Sequence, residues 1–206
     1  IIFASGISNS NEVMESEFDR EKKLLLYYLN HSQGKKFVYF SSCALVDSNV
    51  QKSSYYKHKI SMEKFIRENS KNSFIFRLPQ LFGKLKRHPT LINYLFYKIV
   101  DGEEFVVNEK ATRYVIHVKD VVLIVSSILA TTKKNIILDV ANPYAYSIKE
   151  IVKCLELKGG RKAIFSTIAK SDTYNLDLAP LMTFLVKNNM NIKFGKDYLS
   201  NCLGSY

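Results

Sequence analysis

Phe40–Lys59 reads FSSCALVDSNVQKSSYYKHK, and its reading decides how this chain folds. It overlaps Lys36–Ser41 (KFVYFS), a run of β-branched and aromatic residues that predicts a strand. The strand closes on Ser41-Ser42-Cys43. Ser53 or Ser54 then opens a helix that runs to about Asn69, with Ile60, Phe65 and Ile66 on its apolar side. The next apolar run, Ser73–Leu78 (SFIFRL), is another strand, stopped by Pro79. Strand, helix and strand in this order predict a parallel pair bridged by a helix.

The pattern continues outward in both directions. Ile1–Ala4 reads as a strand, followed by the turn residues Ser5-Gly6. Asn11–His31 is expected to be helical, because Val13, Phe18, Leu24, Leu25 and Leu29 recur at helical spacing. Asn9 or Ser10 is placed to cap that helix, and Gln33-Gly34 to break the pattern. Downstream, the spacing predicts a helix over about 89–100 and short strands over Glu104–Val107 and Arg113–His117. An apolar helix over Val118–Ala130 and a strand over Asn135–Val140 (NIILDV) follow. Ser147 caps a helix over Ile148–Leu157, with Glu150 placed for a capping box. A last short strand is expected over Lys162–Ser166, and helices over Asp177–Lys187 and Lys196–Leu203. The alternation argues α/β architecture with a parallel sheet and helices on both faces. The segment after about residue 84 is less regular and reads as a cap.

Composition bounds the function. In 206 residues, 47% are hydrophobic and 24% charged, the balance of a folded globular chain rather than a disordered or collagenous one. Apolar runs such as Val121–Ala130 fall short of the ~20 residues that a membrane span needs, so no membrane partner is expected. Ile1-Ile2-Phe3-Ala4 has no basic residue before it, so no signal peptide is expected. The chain opens on a strand and without Met, so we expect that a preceding segment is missing. Cys43, Cys154 and Cys202 are odd in number and far apart, with no CxxC spacing. Neither a metal site nor a disulfide framework is expected, and the compartment is expected to be the reducing cytoplasm. Lysine and arginine number 30 against 19 acids, a net charge of +11. That charge suits anionic partners, or simply a solvated basic surface.

Chemistry concentrates in the opening stretch. Tyr55 and Lys59 are four residues apart, so on a helix they share a face. An ammonium beside a phenol stabilises the phenolate and lowers a pKa that is otherwise ~10. A hydroxyl or thiol from Ser42 or Cys43, at a strand's carboxyl end, can face the same point. Such a set suits proton transfer in a carbonyl/alcohol interconversion. Ligands of open α/β sheets bind at those strand ends.

At this point the chain resembles the short-chain dehydrogenase/reductase superfamily, in its extended branch of nucleotide-sugar epimerases, dehydratases and 4-ketoreductases. Ile1–Gly6 (IIFASG) resembles the fourth-strand block, and Phe37–Val46 (FVYFSSCALV) the block with Ser-Ser and a catalytic Ser or Thr. Tyr55–Lys59 matches Tyr-x-x-x-Lys. Arg77–Gly83 (RLPQLFG) resembles Arg-x-x-Asn-x-x-Gly, and Arg113–Val121 (RYVIHVKDV) resembles Arg-Asp-x-Ile-His-Val-x-Asp. Ser147–Val152 matches the helix start that follows in many members. The resemblance covers roughly residues 1–155.

The resemblance implies a Rossmann-type doubly wound parallel sheet with a small C-terminal mixed α/β substrate cap. Residues 1–84 would form the C-terminal part of the dinucleotide-binding domain, with strand 135–140 returning to it, and 85–206 mainly the cap. It implies NAD or NADP as cofactor, held by Ala4, Ser5, Gly6, Ser41, Tyr55, Lys59 and Pro79. Tyr55 would be the acid/base, Lys59 its pKa-lowering and ribose-holding partner, and Ser42 or Cys43 the third member. Gln80, Arg113, Lys170 and Tyr174 would bind a nucleotide-diphosphate sugar. A homodimer, built on two helices that include Tyr55–Asn69, and a place in polysaccharide biosynthesis are also implied.

The chain departs from the family in three places. Cys43 stands at the Ser/Thr position, Gln80 stands where Asn is usual, and no Gly-x-x-Gly-x-x-Gly follows any strand. Ala44-Leu45 replaces the Asp-Glu pair of dehydratases, which favours an epimerase or 4-ketoreductase. The alternative reading is a catalytically inactive Rossmann-like binding protein that takes RNA through its positive charge. No RNP-like stripe, zinc finger or helix-turn-helix supports that alternative.

Overall fold

Phe37, Val38 and Tyr39 are successive residues and all are buried, so their strand is covered on both faces, as strands inside parallel sheets are. The computed structural model describes residues 1–32, 34–47, 53–88, 90–133 and 135–204. They form two compact units: Ile1–Leu78 with Val125–Asp139, and Pro79–Ile124 with Val140–Tyr206. Elements are numbered in chain order across both units. Among the described residues no helix is long and apolar enough to cross a membrane.

The first unit holds a four-stranded parallel sheet. Its order is β1 (Ile2–Phe3), β2 (Phe37–Ser42), β3 (Ser73–Leu78) and β8 (Ile136–Asp139). Helices α1 (Glu15–Asn30) and α2 (Ser54–Asn69) connect the first three strands. Leu25 and Leu29 of α1 and Met62 and Ile66 of α2 pack with Phe3, Phe37, Tyr39 and Ile75 into one core. Period-2 alternation places Ser41 and Arg77 on the same sheet face as Tyr39 and Ile75. Val38, Phe74 and Phe76, on the opposite face, are also buried. Lys36 Nζ donates to the carbonyls of Leu129 and, at 3.0 Å, Thr132 at the end of α4 (Val118–Thr131).

The second unit contains β4 (Gln80–Phe82), α3 (Leu91–Asp101), β5 (Phe105–Asn108), β6 (Thr112–Arg113) and β7 (Val115–His117). It also contains β9 (Tyr146–Ser147), α5 (Ile148–Gly159), β10 (Phe165–Ile168), α6 (Ala179–Lys187) and α7 (Tyr198–Gly204). Ile92, Leu95 and Ile99 of α3 pack with Ile151 and Leu155 of α5 and Leu199 of α7. The capping box at Ser147 and Glu150 forms as the spacing predicts.

Three expectations need correction, and one needs an addition. Helix α1 begins at Glu15, and neither Asn9 nor Ser10 caps it. The Asn9 side chain accepts from the Asn11 amide, and the Glu12 carboxylate from the Val13 and Met14 amides, so both close a turn before the helix. Pro79 ends β3 as the sequence predicts, and what that reading lacked is β4, which follows at once and pairs with β7. The run Arg113–His117 is broken at Tyr114: β6 pairs with β9, whereas β7 pairs with β4. The last strand lies at Phe165–Ile168 rather than 162–166, because the Glu156 carboxylate takes the Ala163 amide and the Lys162 ammonium. Gln33 lies outside the described residues.

Candidate functional site

Ser53 caps α2 by accepting from the Tyr56 amide, and the helix so started carries Tyr55 and Lys59 one turn apart. Both are buried, Lys59 at 2% exposure. A buried ammonium needs partners, and Lys59 has two among the described residues. Its Nζ donates to the Tyr39 hydroxyl at 3.0 Å and to Glu21 Oε1 at 3.2 Å. Glu21, on α1, is fully buried. Its Oε1 also accepts from the Tyr39 hydroxyl at 2.7 Å, and its Oε2 from the Ile7 amide at 2.8 Å. His58 Nε2 lies 3.1 Å from Oε2. Lys59 Nζ sits 5.8 Å from the centre of the Tyr55 ring.

The electrostatics follow from this packing. Burial alone raises the Glu21 pKa, but the His58 imidazole, the Lys59 charge, the Ile7 amide and the Tyr39 hydroxyl together bring it down to about 2. Glu21 is therefore ionised at neutral pH. Burial lowers the Lys59 pKa, and the Glu21 carboxylate opposes that fall. Burial raises the Tyr55 pKa, with Tyr56 and Glu21 adding to the rise. The expected depression of Tyr55 by Lys59 is thus not what this structure has. The ammonium is matched by a carboxylate that the sequence reading left out, and Tyr55 is a protonated phenol at neutral pH.

At the carboxyl edge of the sheet lie Ala4, Ser5 and Gly6 after β1, and Ser41 and Ser42 in β2. Ala4 and Ser5 are exposed, and Gly6 is half-buried. Ser41 Oγ is buried with no hydrogen-bond partner among the described residues. Ser42 Oγ accepts from the Ala44 amide at 3.3 Å. Cys43 is fully buried, and its thiol donates to the Arg77 carbonyl at 3.1 Å. Arg77 itself makes a two-pronged ion pair with Glu63 of α2, at 2.8 and 2.6 Å.

The remaining candidates lie in the second unit. Pro79 and Gln80 are half-buried at the start of β4. Arg113 donates to the carbonyls of Thr112 and Asp172 and pairs with the Asp172 carboxylate. The fold therefore brings Arg113 against the segment that carries Lys170 and Tyr174. The Lys170 side chain is exposed, and its amide donates to Asn108 Oδ1. The Tyr174 ring lies 5.6 Å from that of Tyr114. His31 and His88 are exposed, whereas His58 is buried against Glu21.

The model of the NAD dependent epimerase/dehydratase family matches residues 4–141, two thirds of the chain, a span that includes Glu21, Tyr55, Lys59 and Arg113. The chain belongs to that family. Among solved structures it is similar to UDP-N-acetylglucosamine 4-epimerase from Bacillus cereus, with a TM-score of 0.76 and 15% identity over 99% of this chain and 74% of that one. It is similar to dTDP-glucose 4,6-dehydratase from Bacillus anthracis in complex with NAD, at 0.75 and 13% over 98% and 70%. It is also similar to dTDP-4-dehydrorhamnose reductase from Bacillus anthracis in complex with NADP, at 0.74 and 15% over 99% and 79%. At these identities the likeness establishes the Rossmann-type fold of the family. A search of curated proteins gave no match.

In this family member the site residue that sequence reasoning missed is Glu21. It stands in a charged run, Asp19–Lys23, that reads as a solvated helix face. The signal was register: Phe18, Glu21, Leu25 and Leu29 fall at helical spacing on one stripe, and that stripe is the one turned inward. Gly6 shows how tightly the carboxylate is enclosed. A Cβ there would sit 2.9 Å from Lys59 Nζ and 3.0 Å from Glu21 Oε1. Gly6→Ala is expected to push the pair apart and to cost about 1–3 kcal/mol, the usual range for overpacking. Urea unfolding of the variant checks this, and an unchanged midpoint would show that the pair has room to yield.

Proposed function

We propose that this chain is an NAD(P)-dependent oxidoreductase acting on a nucleotide-diphosphate sugar, as an epimerase or 4-ketoreductase. The observation that carries the reading is the buried Tyr55–Lys59 pair, one turn apart on α2, in a chain of the epimerase/dehydratase family. Ser41 and Gly6 support a dinucleotide. Ser41 offers a buried hydroxyl with no partner among the described residues, and the Ala4–Gly6 turn gives a backbone approach that carries no bulky side chain.

Bound nicotinamide would supply a hydride donor or acceptor at its C4, chemistry that belongs to the cofactor. The protein's part is the proton. Tyr55, held as a phenol, donates its proton to the sugar oxygen during reduction of a carbonyl and takes it back in the reverse direction. Lys59 would hold the nicotinamide ribose. Ser42 orients the substrate oxygen, because the Cys43 thiol already donates to the Arg77 carbonyl. Pro79 would help to hold the dinucleotide. Arg113, with Lys170, Tyr174 and Gln80, takes the nucleotide diphosphate, whose phosphate oxygens suit a guanidinium. The same reading makes the protein a cytoplasmic homodimer in polysaccharide biosynthesis.

Titration of NADH and NADPH into the purified chain, followed by nucleotide fluorescence, tests this. The chain has no Trp, so the protein adds little background. Saturable binding of one of the two is expected and names the cofactor. A folded chain that binds neither, but binds RNA with an affinity that falls steeply as salt rises, would transfer support to the RNA-binding alternative.

A further inference from the structure

Glu21 is held by groups from three separate pieces of the first unit. Ile7 comes from the loop after β1, Tyr39 from β2, and His58 and Lys59 from α2. Oε1 takes the Tyr39 hydroxyl and the Lys59 ammonium, while Oε2 takes the Ile7 amide and faces His58. A fully buried ion pair is a poor way to gain stability, because apolar residues of similar volume usually do as well. Its better-attested use is to fix a group in one place. Here the group is Lys59. An ammonium has three donors. Among the described residues Tyr39 and Glu21 take two of them, which leaves the third to meet a ligand.

We infer that Glu21 is a positioning residue, the fixed counter-ion that holds the Lys59 ammonium under Tyr55 and aims its third donor. The inference rests on the oxidoreductase reading for what that donor meets. Lys59 faces Glu21 from α1, Tyr39 from β2, and Tyr55 and Glu63 from its own helix. Glu63 is already committed to Arg77 of β3. Tyr55 faces Tyr56 and Glu21, and His58 is the remaining titratable group on the carboxylate. Glu21 is therefore the one acid that touches the ammonium directly among the described residues.

Two measurements test this. In the wild-type chain, ¹⁵N-lysine NMR should show the Lys59 ammonium, assigned by its loss in Lys59→Met, protected from exchange, and Glu21→Gln should abolish that signal while the Lys36 signal stays. Absence of a protected Lys59 ammonium in the folded wild type would overturn the inference. The second measurement is the pH dependence of NADH and NADPH affinity. Glu21 raises the pKa of both Lys59 and Tyr55, so its neutralisation lowers both. The alkaline loss of affinity in Glu21→Gln should move to lower pH by about one unit or more. Glu21→Asp should recover part of the shift, and it serves in place of Glu21→Gln if that variant does not fold. A role confined to stability would lower the melting temperature and leave the pH dependence in place, and that result would also overturn the inference. Wild type that binds neither dinucleotide overturns the oxidoreductase reading instead, so the two failures are told apart.

Discussion

Tyr55→Phe should lower turnover of a nucleotide-sugar substrate by a factor of about 10²–10⁴, the usual worth of a positioned general acid. Dinucleotide affinity should stay within about twofold, since Phe keeps the ring and loses only the hydroxyl. The fold should tolerate the change, because the Tyr55 hydroxyl makes no hydrogen bond among the described residues, while its ring is buried. The clean variant is therefore the informative one: the protein should melt as wild type does and yet fail in the chemical step. Steady-state rates with NADH or NADPH and a panel of UDP- and dTDP-sugars measure this. The raised pKa of Tyr55 sets the sign of the pH response. The phenol stays protonated through neutral and mildly alkaline pH, so reduction should hold its rate there rather than fall. A Tyr55→Phe chain with unchanged rates would remove the residue from the chemistry altogether.

The strands and helices around Phe40–Lys59 were legible because their patterns are local. Short continuous apolar runs rich in Phe, Val and Ile made β2 and β3, and a serine before an amphipathic stretch made α2. The β4–β7 pairing was not legible, because Gln80–Phe82 is too short to show a period and is paired with residues more than thirty positions away. The Tyr55–Lys59 pair could be found from its spacing and its neighbouring motifs. Its electrical state could not. That state depends on Glu21, which enters from a different helix, and on a burial that no window of sequence reports. The burial of His58 is illegible for the same reason: its neighbour in space is an acid thirty-seven positions away.

Lys59→Met should destabilise the fold by about 3–5 kcal/mol at neutral pH, the cost of leaving one member of a buried pair without the other. The methionine fills much of the lysine's volume, so most of the loss falls on Glu21. The carboxylate keeps the Ile7 amide and the Tyr39 hydroxyl but loses its ammonium. The pH dependence identifies the cause. In the wild type Glu21 titrates near 2, against an ordinary value of 4.5. Its folded pKa is depressed, so its charge stabilises the fold above pH 4.5, and that contribution is lost as pH falls through about 2. Without Lys59 the folded value rises, the depression shrinks or reverses, and the stabilisation goes with it. The gap between wild type and Lys59→Met should then be widest at neutral pH and should narrow as pH falls from 4.5 toward about 2, where the wild-type Glu21 is protonated as well. The double variant Lys59→Met/Glu21→Gln should recover much of the loss, since it buries neither charge. Urea unfolding of the two single variants and the double, at neutral and acid pH, supplies the cycle. Additive effects with no dependence on pH would mean that the two charges do not sense each other.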